Sequence, residues 1–375
     1  MTPRVLLLVL ATGVWLGCDQ PTAPIRTHEE LTNRLARIVA DSAAANGAIG
    51  SQAAVRIPGH EPWLGTAGQS EPSVPMRSEL MIGTGSISKM YTAVAALRLI
   101  DRGVLRLGDP IGRWFPATPH VDPSLTLERL LQNTSGLADY GESPDFAAAV
   151  RADPGRGWTP AELLAFVGPP LFPPGGGWDA SNTNRLLLGM IVERESGQAL
   201  GAFLRNDLYP GSRESWLGGF ETAPGPLAAQ WFDDGTGRLV RASLGPALFS
   251  VRREIQASAG DLAIFAERLF AGDLLSTATR SSMLTFVTDD GRIAGQTGGG
   301  LGVRRFDYLG RTLWGHSGGT GNSSAMILFD PPTGITVALS INQGGPSHRQ
   351  SHFRTAVALL QAAIEFASPS AGVGR

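Results

Sequence analysis

Gly83-Thr84-Gly85-Ser86-Ile87-Ser88-Lys89-Met90-Tyr91-Thr92-Ala93 is the stretch on which the reading of the fold turns. From Met90 to Ile100 the chain is apolar with helical character, and Asp101-Arg102-Gly103 ends it. Gly85 and Ser86 therefore fall where a helix begins. Ser86 and Lys89 stand at i and i+3, on one face. The first turn of a helix carries unpaired N–H groups and a partial positive charge, which favour a developing alkoxide. A serine hydroxyl is a weak nucleophile until a neighbouring base takes its proton, and a neutral lysine amine can do so. Taken alone, Ser86 reads equally as a helix N-cap, and Ser-x-x-Lys tetrads arise by chance in many chains.

The basic residues sharpen the point. Of 31 Lys and Arg residues, 30 are Arg, and the single Lys is Lys89. Lysine can surrender its proton when buried or placed beside other cations, whereas arginine stays charged. Retention of an ammonium at this one position points to reversible proton transfer; chance survival at an indifferent position is the plain alternative.

Composition sets the frame. The chain has 375 residues, 42% hydrophobic and 17% charged, enough for one large core or two packed subdomains. Net charge is −2, which gives no long-range field toward nucleic acid or an anionic membrane. At the start, Arg4 precedes an apolar run from Val5 to Leu16, too short for a bilayer-spanning helix of roughly 20 residues. The run ends in Leu16-Gly17-Cys18. Residues 1–17 are expected to be a signal peptide and 18–26 a tether. The segment resembles a bacterial lipoprotein leader cleaved before a lipidated Cys18, with a plain secretory leader as the alternative. The protein is thus expected to be exported to the periplasm or cell envelope, with a lipid anchor at Cys18 as its membrane contact. Cys18 is the chain's only cysteine, so no intramolecular disulfide can form.

A single folded domain is expected over 27–369. Residues 28–45 have helical spacing, with Thr27 as N-cap. Alternating segments near 48–57 and 62–68, separated by Pro58-Gly59, suggest a hairpin. The region 86–206 reads as a helical subdomain of short helices and Pro- and Gly-rich loops. Segments near 299–306, 311–315, 322–330 and 334–342 look like consecutive antiparallel strands, with Gly298-Gly299-Gly300 as a flexible start, and 348–366 closes as an amphipathic helix. The layout is α+β: an antiparallel sheet flanked by terminal helices, with an inserted helical subdomain.

Around Ser86-Ile87-Ser88-Lys89 the chain resembles serine β-lactamases of class C and related DD-peptidases, the penicillin-binding-protein-like serine hydrolases. Further segments agree in order: Leu130-Leu131-Gln132-Asn133-Thr134-Ser135-Gly136-Leu137, then Ser181-Asn182-Thr183-Asn184, then Trp314-Gly315-His316-Ser317-Gly318-Gly319. The likeness spans roughly residues 28–366. It implies a β-lactamase/transpeptidase-like fold, Ser86 as nucleophile and Lys89 as general base. Asn182 would hydrogen-bond the lysine and a substrate amide. His316 would donate to a substrate carbonyl or carboxylate, Ser317 and Gly318 would bind substrate, and the N–H groups of Ser86 and Gly319 would form an oxyanion hole. The family's Tyr-x-Asn triplet here reads Ala180-Ser181-Asn182, so its phenol is missing. Three readings follow: Lys89 acts alone, a water relays the proton, or the site is degenerate.

The reaction implied is acyl transfer on D-amino-acid peptides, on small esters or amides, or on β-lactams, with no metal or organic cofactor. The alternative is a non-catalytic, envelope-anchored protein that binds peptides or glycans. His348 and His352, at i and i+4, lack a third ligand and are expected on a solvated helix face. Trp231, Trp178 and Tyr140 are open between cleft and core.

Overall fold

The computed structural model describes residues 25–219, 222–245, 253–289, 295–308 and 310–368, with the backbone alone at 346–350. The expected leader, Cys18 and most of the expected tether lie outside the described residues.

Eight antiparallel strands form the central sheet: β1 (Gly50–Arg56), β2 (Trp63–Glu71), β3 (Val74–Pro75), β4 (Gln296–Gly299), β5 (Arg304–Tyr308), β6 (Arg311–Gly319), β7 (Ser324–Asp330) and β8 (Ile335–Ile341). Their order across the sheet is β3-β2-β1-β8-β7-β6-β5-β4. Chain start and chain end therefore meet at the β1–β8 ladder, where Ser51 pairs with Ile341 and Arg56 with Thr336. Residues of β7 and β8 are buried throughout, because both faces of the sheet are covered there.

Each face of the sheet carries its own core. On one side Ala53, Val55, Met326, Leu328, Val337 and Leu339 meet the terminal helices α1 (His28–Asn46) and α5 (Pro346–Ala367). Thr27 caps α1 in a full capping box with Glu30. On the other side Ala54, Ala325, Ile327 and Ala338 meet a larger helical mass. At its centre stands α2 (Ser88–Asp101), in which every residue from Ser88 to Leu97 is buried. Such a helix needs no polar face. Beside it run α3 (Asn182–Ser196) and α4 (Ala259–Phe270). The result is a mixed fold with the antiparallel sheet between helical layers, the β-lactamase/transpeptidase-like arrangement.

Three expectations need correction. The strand expected over 299–306 is two strands, broken at Gly300–Val303 because Gly302 turns there with φ 78° and lies on α2, where a methyl would come 2.3 Å from Ala93 Cβ. The glycines before that turn are not slack: a methyl on Gly299 would come 2.2 Å from the Trp178 indole nitrogen, so the bare backbone makes room for the ring. His352 is not solvated; only 1% of it is exposed, on the inner side of α5.

Candidate active site

The chain enters α2 through a 3-10 turn, Gly85–Ile87. Thr84 and Ser88 tie this turn to the neighbouring short strand: Thr84 Oγ1 donates to the Ile255 carbonyl at 2.9 Å, and Ser88 Oγ accepts from Ile255 N at 2.9 Å. The second serine of the tetrad thus anchors the turn. That leaves Ser86, half-buried, to face the cleft.

Lys89 rises one turn later on the same face. Its Nζ donates to Ser86 Oγ at 3.1 Å and to Asn182 Oδ1 at 2.8 Å. Asn182 opens α3, where Ser181, not Asn182, is the N-cap: its Oγ accepts from Thr183 N. Asp139 fixes the amide, since Oδ2 accepts both Asn182 N and Asn182 Nδ2 at 2.8 Å. With its NH2 held there, the amide must present its oxygen to the lysine. The chain of contacts Asp139–Asn182–Lys89–Ser86 places the Ser86 hydroxyl, the Lys89 amine and the amide that orients that amine.

Burial is what most lowers the Lys89 pKa, to about 7; the cations Arg185 and Arg304 lower it further, while Asp139 and Asp179 work in the opposite direction. An amine titrating near neutrality can both accept and return a proton.

The facing wall is the end of β6. A methyl on Gly318 would come 1.8 Å from the Thr84 carbonyl oxygen, and one on Gly85 would come 2.6 Å from Gly319 N. Bare backbone at these positions lets the strand end lie directly against the turn that bears Ser86. Gly85 needs its glycine twice over, because its φ is 52°. The backbone of Gly319 thereby lies beside that of Ser86. Above them opens a cleft of about 190 Å³ lined by Ser86, Asn182, Gly319, Thr320, Tyr140 and Arg185, among others.

His316 departs from its expected role. It is buried, its Nδ1 meets the Ser317 carbonyl at 2.6 Å, and its Nε2 receives Arg304 Nε at 3.3 Å. Burial, then the Arg304 charge, pushes its pKa well below the ordinary value, so the ring is neutral. Both nitrogens are engaged within the protein, and the imidazole is placed to hold Arg304 instead of a substrate. Ser317 is buried, Gly318 serves the close approach, and Gly319 and Thr320 are what the strand end shows to the cleft.

Of the three aromatics left open, Tyr140 lines the cleft, with its N–H on Thr183 Oγ1 at 3.1 Å. Burial chiefly raises its pKa, so the phenol keeps its proton. Trp178 lies under the Arg304 guanidinium, 5.1 Å from ring centroid to carbon. Trp231 is structural, with Nε1 on the Ser70 carbonyl at 3.1 Å. Ala180 brings only a methyl to the position of the family's tyrosine.

Sequence reasoning missed Asp139, Arg185, Glu254 and Arg304. Arg185 had a signal, because it follows Asn182 by three residues and so shares its helix face. Glu254, whose Oε2 accepts Gly85 N at 3.1 Å, had none. Among the described residues no group of three or more His, Cys, Asp or Glu side chains is placed to hold a metal ion.

Comparison with known proteins identifies the family and the fold. A family model described as Beta-lactamase matches residues 35–361. Penicillin-binding protein 4 of Amycolatopsis lactamdurans is 26% identical over 72% of this chain and 74% of its own length. Esterase EstB of Burkholderia gladioli is 35% identical, over 34% of this chain and 36% of its own length. Among solved structures, a D-stereospecific amidohydrolase from Streptomyces sp. superposes with a TM-score of 0.75 at 27% identity, covering 88% of this chain and 98% of that one.

Proposed function

The chain belongs to the β-lactamase family of serine hydrolases, and we propose that it hydrolyses amides or esters through an acyl-enzyme on Ser86, with Lys89 as the general base. The observation that carries this reading is the Lys89 amine, poised near neutrality and 3.1 Å from the Ser86 hydroxyl. Ser86 Oγ attacks the substrate carbonyl carbon while Lys89 takes its proton. The tetrahedral oxygen lies between the N–H groups of Ser86 and Gly319, each such donor being commonly worth about 3 kcal/mol in the transition state. Collapse breaks the bond to the leaving amine or alcohol, which carries off the proton from Lys89. Water then attacks the ester with Lys89 again as base, releasing the acid and restoring Ser86.

The substrate class proposed is D-amino-acid peptides and small amides or esters, with β-lactams secondary. Supporting this order, His316 is neutral and engaged with Arg304, so the strand wall offers no imidazolium for a carboxylate. The names of the relatives, a penicillin-binding protein, an esterase and a D-stereospecific amidohydrolase, span the same chemistry. The rival, a binding protein on this fold, rests on the alanine at 180.

A fluorophosphonate or fluorescent penicillin label, applied to wild type and Ser86→Ala, separates the two. The wild type is expected to label and the variant to lose the label entirely. Equal labelling of both would remove Ser86 as nucleophile, and an unlabelled wild type would favour the binding protein.

A further inference from the structure

Arg185 stands three residues beyond Asn182 on α3 and lines the same cleft as Ser86. Its guanidinium is held in place: Nη1 donates to the Arg253 carbonyl oxygen. Arg253 itself adopts a left-handed backbone, φ 46°, which a non-glycine residue takes up only at a cost. Its buried side chain is paired with Glu193 at 3.8 Å. The strained turn thus aims a carbonyl at Arg185 and stops the cation from swinging into solvent. Arginine cannot shed its proton, so a permanent positive charge is fixed beside the cleft.

We propose that Arg185 is a positioning residue that holds Lys89 as the free amine, so that the lysine serves as base without the phenol missing at Ala180. The inference rests on the hydrolase reading for its catalytic consequence alone.

The groups that set the charge state of Lys89 come from several elements. Asn182 and Arg185 come from α3, Asp139 and Tyr140 from the 3-10 turn Tyr140–Glu142 and its cap, Asp179 from the loop leading into α3, Arg304 from β5 and His316 from β6. Glu254 lines the cleft beyond them. Tyr140 and His316 are uncharged, so the contest is between two arginines and the carboxylates Asp139 and Asp179. After burial, Arg185 has the largest influence on the lysine, ahead of Arg304 and of either aspartate. Both cations are held, Arg304 by His316 and Gln296 and Arg185 by the Arg253 carbonyl, but it is Arg185 that lines the cleft with Ser86. A fixed cation on the approach to Ser86 penalises the ammonium and leaves the amine.

Because Lys89 is the only lysine in the chain, protein grown on ε-13C-lysine has a single side-chain signal to titrate. Replacing Arg185 by Gln is expected to raise the midpoint of that signal by at least about half a pH unit. The acidic limb of kcat/KM should move upward with it, an approximately threefold loss of rate below the limb for each half unit, with the alkaline plateau kept. Arg185→Met is the second neutral variant should Gln disturb folding. Arg185→Lys keeps the charge and is expected to leave the Lys89 midpoint where wild type has it. A midpoint unmoved in the neutral variants, with rate lost equally at all pH values, would overturn the proposal and leave Arg185 a structural residue. Were wild type to show no Ser86-dependent turnover, the hydrolase reading would fail, while the lysine signal would still decide what Arg185 does.

Discussion

The two walls of the cleft are built on opposite principles. One wall, made by the start of α2 and the start of α3, acts through side chains: Ser86, Lys89, Asn182, Asp139 and Arg185, each fixed by a hydrogen bond to a named partner. The other wall, the end of β6, acts through what it lacks. Gly318 brings no side chain, so the strand can press against Thr84, and the one titratable ring nearby, His316, is turned to Arg304. On the proposed mechanism, proton transfer belongs to the first wall, while the second contributes backbone alone, its Gly319 N–H joining that of Ser86 around the tetrahedral oxygen. Each side should then fail in its own way when altered.

The largest effect is expected from Lys89→Arg, which keeps the charge and nearly the bulk but removes a proton that can be given up. Turnover should fall by about a hundred- to ten-thousandfold at every pH. Near-normal turnover in a steady-state assay would show that no titratable amine is needed on the side-chain wall. A smaller loss is expected from Gly318→Ala. Its methyl would meet the Thr84 carbonyl oxygen at 1.8 Å, so the strand end must retreat from Ser86. A fall in kcat of roughly ten- to a hundredfold is expected, with the pH profile unmoved because Lys89 keeps its partners. If the acidic limb shifted instead, the division of labour between the walls would be wrong.

How much of this could be read beforehand differs between the same two walls. The tetrad of Ser86 and Lys89 was legible because helix periodicity and a one-letter choice, Lys among arginines, both mark it. Strands were legible from their turns, such as Pro58-Gly59 between the first two, but the pairing of β1 with β8 was not. The role of His316 was not legible. Its neighbour Arg304 sits twelve positions earlier and meets it only because β5 and β6 pair, with Arg304 opposite Gly315. Asp139 and Glu254 were hidden for a similar reason. Their contacts, to Asn182 and Gly85, span 43 and 169 positions, and no local pattern encodes them. Arg185 lies one helical turn from Asn182, but spacing alone does not tell a cleft arginine from the many solvated ones in this chain.

Attack by Ser86, as proposed, depends on the protonation state of a single amine. Titration of the ε-13C signal of Lys89 in wild-type protein measures that state without any substrate. The account predicts one midpoint near 7. A midpoint close to the ordinary lysine value of about 10.4 would contradict it, because the residue would then be an ammonium throughout the neutral range and could not take the proton of Ser86.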